Sequence, residues 1–232
     1  MGVVLVNSKA GNFKAEALFA QIKELAAPLG LTTLATVSAE DMHSKVIEAV
    51  QANAPNIVVG GGDDTVRAAL YGLWSAGYFH QNDLRRKITF GIIPLGTFNN
   101  FARHLGVRLD VGDSINDAIW GRMIQADLGL IDLPGRRAPQ IFNESVGLGL
   151  DVEAWRHFPV ESPRLIRRLW DGAVAFWRAL RSFNPSSFLL RIDGVQRNAR
   201  PLLLSVANSA RFSAGFNIAP GAERDNGKLD FC

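Results

Sequence analysis

Cysteine is almost absent: the chain has one in 232 residues, Cys232, at the last position. No disulfide framework and no CxxC metal or redox site can be built from it. Histidine is scarce as well. His43, His80, His104 and His157 show neither HxxxH nor HxH spacing, so they read as surface or capping side chains rather than ligands. No apolar run approaches the roughly 20 residues that a membrane-spanning helix needs. The opening MGVVLVNSKAG lacks a basic region ahead of its apolar residues and is too short for a secretion signal. Val6 stands where an N-myristoylation pattern needs Ser or Thr. A soluble, cytoplasmic chain is the expectation. Charge of one sign is also lacking. With 25 Lys+Arg against 22 Asp+Glu, the net +3 is too small to imply nucleic acid as a partner.

What is present is ordinary for a globular protein: 47% hydrophobic and 20% charged residues, 22 Gly and 10 Pro. That excludes collagen-like, coiled-coil and disordered classes. The length allows one large domain or two small ones with a substantial core. There is no repeat and no low-complexity segment.

The first 125 residues alternate strand and helix signals. Val3 to Val6 is a short apolar run ending at Asn7 and Gly11, as a buried parallel strand would. Phe13 to Leu29 has helical spacing, with Leu18, Ile22, Leu25 and Leu29 on one stripe and Gly30 as the stop. A strand over Thr32–Val37 and a helix over Asp41–Ala52 follow. The strand Ile57–Val59 runs into Gly60-Gly61-Gly62-Asp63-Asp64-Thr65 and a helix from about Val66 to Ala76. Ile88–Ile93 then delivers Pro94-Leu95-Gly96-Thr97-Phe98-Asn99-Asn100-Phe101-Ala102 and another helix. Strands spaced by 10–15-residue helices imply right-handed crossovers and a parallel sheet. After Arg122 the signals turn β-rich: Gln125–Leu133, Gln140–Asp151, Phe188–Asp193 and Pro201–Asn208, with Asp193-Gly194 as a hairpin turn. One helix, Pro163–Ser182, interrupts them. The expected fold is therefore an α/β domain over residues 1–124 followed by a β-rich domain over 125–232.

Ligands of parallel sheets bind beyond the carboxyl ends of the strands. Three polar, glycine-containing segments lie there: Asn7 to Gly11, Gly60 to Thr65 and Gly96 to Asn100. Glycine lets the backbone approach a phosphate, and the free N–H groups at the start of a helix favour an anion. Asp63 adds a carboxylate able to hold Mg²⁺ against phosphate oxygens. Each segment alone could be no more than a tight strand-to-helix turn. Three on one rim favour a site. Neither GxxxxGK[ST] nor GxGxxG is present, so phosphates would be held by another device.

These residues resemble the diacylglycerol kinase catalytic family, which includes bacterial lipid kinases and sphingosine kinases. Val58 to Thr65 is similar to its GGDGT loop, and Pro94 to Ala102 to its PLGTxNDFA. Asn7 to Gly11 is similar to its NPxSG, and Asn143 with Gly147 and Gly149 to an NxxxGxG strand. Gly215 to Ala222, continuing through Gly227 and Leu229-Asp230, is similar to a late GGFxIxPxA…DGxLDV segment. Five motifs in order span essentially the whole chain. The resemblance implies an NAD kinase- and phosphofructokinase-like α/β domain facing a β-sandwich-like domain, with Mg-ATP in the cleft and a lipid hydroxyl as γ-phosphate acceptor. It implies nucleotide contacts at Asn7, Thr36, Gly61, Gly62, Asp63, Asp64, Thr65, Thr97 and Asn99. Asp63 would be the catalytic, metal- or phosphate-positioning acid, and Asp225 with Asn226 an altered second metal region, Asn226 standing where the family has the aspartate of DG.

Four departures qualify that expectation. Asp64 replaces the glycine that follows the aspartate of GGDGT, placing negative charge where phosphate should approach. Repulsion at about 4 Å is on the order of 1 kcal/mol in water and several in a partly desolvated cleft. If that glycine requires positive φ, about 1 kcal/mol or more of strain is added. Asn100 replaces the aspartate of PLGTxNDFA, so a charge is lost at a helix start that tolerates either residue. Ser8 replaces the proline of NPxSG, a tolerable change. The family continues past its LDV strand to supply a late acidic base, whereas this chain ends at Phe231-Cys232, so it is expected to be a shortened member with weak turnover. Its last strand, Leu229–Cys232, is expected to be unpaired, leaving an edge open to homodimer contacts or aggregation.

On a helical wheel of Pro163–Ser182, Arg164, Arg167, Arg168, Arg178 and Arg181 share an arc of roughly 140°. Leu165, Ile166, Leu169, Trp170, Ala173, Phe176, Trp177 and Leu180 lie opposite. Two readings stay open: a helix packed by its apolar side with arginines in solvent, or one lying at an anionic inner-membrane surface beside the lipid entrance. For function, an ATP-dependent lipid kinase is the leading expectation. The alternatives are an inactive nucleotide- or lipid-binding relative and a kinase of a soluble acceptor such as NAD.

Overall fold

The computed structural model describes residues 1–9, 15–80, 88–136, 138–157, 165–212 and 216–232. The amino-terminal part is built from β1 (Gly2–Asn7), α1 (Ala15–Ala26), β2 (Leu31–Thr36), α2 (Ala39–Gln51), β3 (Asn56–Gly61), α3 (Asp63–Ser75), β4 (Thr89–Pro94), α4 (Asn100–Leu105) and α5 (Val111–Trp120). The four strands form one sheet in the order β2-β1-β3-β4, every pair parallel.

Both faces of the sheet are covered across β1, β3 and β4, which is why the centres of these strands read as apolar runs, whereas the edge strand β2 carries threonines and exposes Leu34. Side chains alternate across a strand. Val3, Leu5, Ile57 and Val59 therefore face one way, against Met42 and Val46 of α2 and Val66, Ala69 and Leu73 of α3. Val4, Val6, Val58 and Ile93 face the other, against Ile22 and Ala26 of α1 and Ile115 of α5. The stripe that α1 buries is Ile22 and Ala26, with Phe19 and Leu29 at its margin, while Leu25 is exposed. Leu25 lies about 100° from Ala26 on the helix, so one turn of apolar spacing fits two stripes and the sheet selects the second. Ser38 caps α2 by accepting the Asp41 N–H, and Asp110 caps α5 by accepting that of Asp113. The sequence reading did not single out α5.

The remainder consists of β5 (Gly129–Ile131), β6 (Gln140–Phe142), β7 (Ser145–Gly149), α6 (Leu150–His157), α7 (Leu165–Ser182), β8 (Phe188–Ile192), β9 (Val195–Ala199), β10 (Leu203–Ala207), β11 (Arg211–Phe212), β12 (Phe216–Asn217) and β13 (Asp230–Phe231). It is antiparallel and fragmented: a three-stranded sheet β13-β10-β7 and three two-stranded ribbons. The Asp193-Gly194 hairpin is present between β8 and β9, with φ of 48° and 82°, the pair of positive values a type I′ turn requires.

Three expectations are corrected here. Only Gly129–Ile131 of Gln125–Leu133 is strand. Gln140–Asp151 is broken by a turn at Asn143-Glu144 and passes into α6 at Leu150. The final strand is not unpaired: Phe231 and Asp230 pair with Val206 and Ala207, and Cys232 exchanges both backbone hydrogen bonds with Ser205. The two parts share a core, because Ile141 of β6 packs among the α2 and α3 side chains.

Candidate active site

The carboxyl ends of the parallel strands set Asn7 beside Thr36, and Gly61 beside Pro94. From β3 and β4 the chain turns into α3 and α4 through two glycine loops that touch. A Cβ on Gly96 would lie 2.5 Å from the Gly62 Cα, and one on Gly62 would lie 3.2 Å from the Gly96 Cα. Neither glycine has positive φ. Glycine is required here for close approach of two backbones, not for conformation. The Leu95 N–H donates to the Gly61 carbonyl at 2.9 Å, which locks the loops together.

Each loop also has its own brace. Asn99 sits in the left-handed region, φ 51°, which Asn tolerates, and its amide closes the second loop. Its Oδ1 accepts the Gly96 N–H at 2.8 Å, and its Nδ2 donates to the Gly96 carbonyl at 2.9 Å. Asn7 Nδ2 donates to Thr65 Oγ1 at 3.0 Å, tying the end of β1 to the first turn of α3. Gly62 is the N-cap of α3 and offers no side-chain acceptor, so the first N–H groups of that helix have no side-chain cap.

Asp63 works across the loops. Its Oδ1 accepts the Phe101 N–H at 3.2 Å, supplying to α4 the cap that Asn99 does not make. Glu144, in the β6–β7 turn, reaches the same place from the β-rich part. Asn100 Nδ2 donates to Glu144 Oε2 at 3.3 Å, and the Glu144 carboxyl is close enough to that of Asp63 for each to affect the other's proton affinity. Burial, then the neighbouring Asp63 charge, pushes Glu144 up to about 8. Burial also raises Asp63, against the lowering effect of the Asn100 and Phe101 N–H groups. Asn208 holds the turn in place: its N–H donates to the Glu144 carbonyl at 2.7 Å, and its amide to the Asp127 and Asn143 carbonyls.

The structure brings Asn7, Gly61, Gly62, Asp63, Thr65 and Asn99 into one cluster. Thr97 is exposed on the second loop. Thr36 is different: it is fully buried and its hydroxyl donates to the Val6 carbonyl, so in this conformation it braces the sheet instead of facing a ligand. Asp64 occupies the first turn of α3 with negative φ, so the strain expected at this position is absent. Its side chain is 96% exposed and paired with Arg67 at 3.4 Å.

Asp225 and Asn226 belong to a separate loop. Asn226 Oδ1 accepts the Lys228 N–H, and Asp127 holds the loop through Gly227 N–H and Arg224 O. Among the described residues no group of three or more His, Cys, Asp or Glu gathers anywhere. Glu144 was not legible in the sequence. Its only signal was a carboxylate directly after Asn143 in an otherwise apolar strand.

Residues 1–131 match the family model described as the diacylglycerol kinase catalytic domain. Residues 144–232 match the YegS C-terminal NAD kinase beta sandwich-like domain. The chain is 27% identical to a Chromohalobacter salexigens protein named "Probable lipid kinase YegS-like", over 79% of this chain and 55% of that one. It is 27% identical to a protein of Bacillus subtilis named "Diacylglycerol kinase", over 86% of this chain and 61% of that one. The crystal structure of a diacylglycerol kinase from Bacillus anthracis superposes with a TM-score of 0.71 at 23% identity, over 99% of this chain and 71% of that one, a likeness of fold. The chain thus spans less than two thirds of the length of these curated relatives.

Proposed function

The chain belongs to the diacylglycerol kinase catalytic family, and from that premise we propose that it transfers the γ-phosphate of ATP to the hydroxyl of a diacylglycerol or related lipid. The observation that carries the reading is the interlocked pair of glycine loops beneath the uncapped start of α3. Phosphoryl transfer is mostly positioning and charge neutralisation, and backbone N–H groups held by a rigid sheet edge supply both. In this reading residues 1–124 hold the nucleotide, and 125–232 form the lipid side.

The chemistry of the donors at the seam fits Mg²⁺. The ion takes hard oxygen ligands, commonly one or two carboxylates with the rest from phosphate and water, and Asp63 and Glu144 offer that pair. Burial and mutual proximity raise the proton affinity of both carboxyls, and a bound cation would counter that effect. When bound, the ion would neutralise charge on the transferring phosphate. The chain's own parts do the rest. Gly61, Gly62 and Gly96 let the phosphates approach, Asn7 fixes Thr65, and Asp63 holds α4 against α3. The acceptor oxygen bonds to the γ-phosphorus as the bond to the β-phosphate oxygen breaks, ADP leaves and the hydroxyl proton is released. The lipid acceptor places the chain, in use, at the surface of a membrane.

One observation favours a second reading, a nucleotide- or lipid-binding relative without turnover. Asp64 adds an exposed negative charge at the helix start, only partly balanced by Arg67. The test is transfer of labelled phosphate from ATP to diacylglycerol in mixed micelles, with NAD as a soluble competitor. Labelled phosphatidate supports the kinase reading. No transfer, with ATP binding intact, supports the second. Labelling of NAD alone would reject the lipid acceptor.

A further inference from the structure

Helix α7 buries the wrong side of itself for a packed surface helix. Among its described side chains, those it buries are Ala175 and Ala179, 2% and 0% exposed, small enough to let α6 pack closely. Among its described side chains, four large apolar ones face out: Trp170 is 71% exposed, Trp177 55%, Phe176 49% and Leu180 44%. At about 100° per residue these four, with Ala173, occupy one arc of roughly 120°. Single exposed hydrophobics are normal, but a contiguous row containing two tryptophans marks an interaction surface.

We propose that this face of α7 is a docking surface for an anionic lipid bilayer, seating its aromatic side chains at headgroup depth. The charge on the helix identifies the occupant. Over Leu165–Ser182 the sequence carries Arg167, Arg168, Arg178 and Arg181 against Asp171 alone. The Arg181 guanidinium lies over the Trp177 ring, 5.0 Å from its centroid, so a cation borders the apolar row itself. Tryptophan and arginine suit a bilayer interface, the one amphipathic, the other able to bury its stem while its head stays at phosphate level. A second copy of the chain fits less well. Two such helices face to face would oppose a net +3 with a net +3. No helix among the described residues is long and apolar enough to cross a membrane, so the attachment is peripheral.

The inference extends the lipid-kinase reading by naming where the chain meets its substrate's phase, yet its test needs no turnover. The full chain is sedimented without ATP with vesicles of phosphatidylcholine, alone or with phosphatidylglycerol. Binding to the anionic vesicles should be about tenfold or more tighter, since each cation near such a surface contributes measurably. Trp170→Ala with Trp177→Ala should weaken it by about tenfold, and Trp→Phe at both sites should largely preserve it. Arg178→Glu with Arg181→Glu should abolish the preference for anionic lipid. Trp120→Ala, at an exposed tryptophan outside α7, should change nothing. Equal binding to both vesicle types, or indifference to the α7 variants, overturns the proposal. So does a dimer in light scattering that Trp170→Ala with Trp177→Ala dissolves, which would make the face a protein contact. Vesicle binding without phosphate transfer would leave this inference standing and count against the kinase reading alone.

Discussion

The parallel sheet of the first half and the antiparallel pieces of the second are held together in opposite ways. The first has two large buried clusters, one on each face of a single sheet. The second has a small core centred on Ala207, Ala219 and Ala222, and many of its large apolar side chains are exposed, among them Leu130, Leu148, Leu189, Val195, Leu202 and the α7 row. In the proposed reading, the phosphate-positioning site sits on the half with the larger buried core, and the lipid-facing surface on the half with more exposed apolar area. At the seam Glu144 of the second half meets Asp63 and Asn100 of the first, so both halves contribute polar groups there.

This contrast can be broken by mutation. Leu5→Ala, in the centre of the sheet, should lower unfolding stability by about 2–5 kcal/mol, whereas Leu189→Ala, on the exposed face of β8, should cost within about 0.5 kcal/mol. Denaturant melts of the two variants test it, and equal losses would mean that the halves do not differ. Gly96→Ala comes next. Its new Cβ meets the Gly62 Cα and the Asn99 Oδ1, so the expected cost is about 1–3 kcal/mol, with the glycine loops forced apart. Gly221→Ala, whose Cβ has space and whose φ is not positive, should be nearly silent by the same melts.

Much of the first half was legible because a strand buried on both faces must be apolar throughout. Val3–Val6 and Ile57–Val59 have few other interpretations. The order of glycine loops and helices followed from them. The second half was less legible because its strands are short and half exposed, so Gln125–Leu133 carried strand propensity with no partner over most of its length. Periodicity showed that α7 has two faces but could not say which one the protein covers. The apolar face was the natural choice, and the small face was the one used. At the site, the loops were visible as glycine and asparagine spacing. The partnership of Asp63 with Glu144 was not, since 81 positions separate them and only the fold joins them. Thr36 stood at the correct strand end, but whether a hydroxyl faces solvent or its own sheet is decided by packing.

The seam carries a pH signature of its own. Glu144 is shifted from an ordinary 4.5 up to about 8, so the folded state keeps a proton that the unfolded state releases between those values. Stability should be full below about 4.5 and fall as pH rises through 8, with a slope approaching about 1.4 kcal/mol per pH unit. Asp63, also raised, acts in the same direction. Thermal melts in metal-free buffer should show this slope in the native chain and a flatter one in Glu144→Gln. Equal slopes would mean the two carboxyls do not interact as described. The smallest expected effect is that of Asp64→Gly. Losing one exposed charge, partly balanced by Arg67, should tighten ATP binding by about fivefold, on the order of 1 kcal/mol. A larger gain would mean that Asp64 intrudes on the phosphates directly.

The most direct test of the account is a calorimetric titration of Mg-ATP into the native chain and into Gly96→Ala, with circular dichroism confirming that both are folded. The account predicts micromolar binding by the native chain and none by the folded variant, because the proposed phosphate site is the place where the two glycine backbones meet. Binding of equal strength by both would contradict it, and the interlocked loops would then be a device of the fold alone.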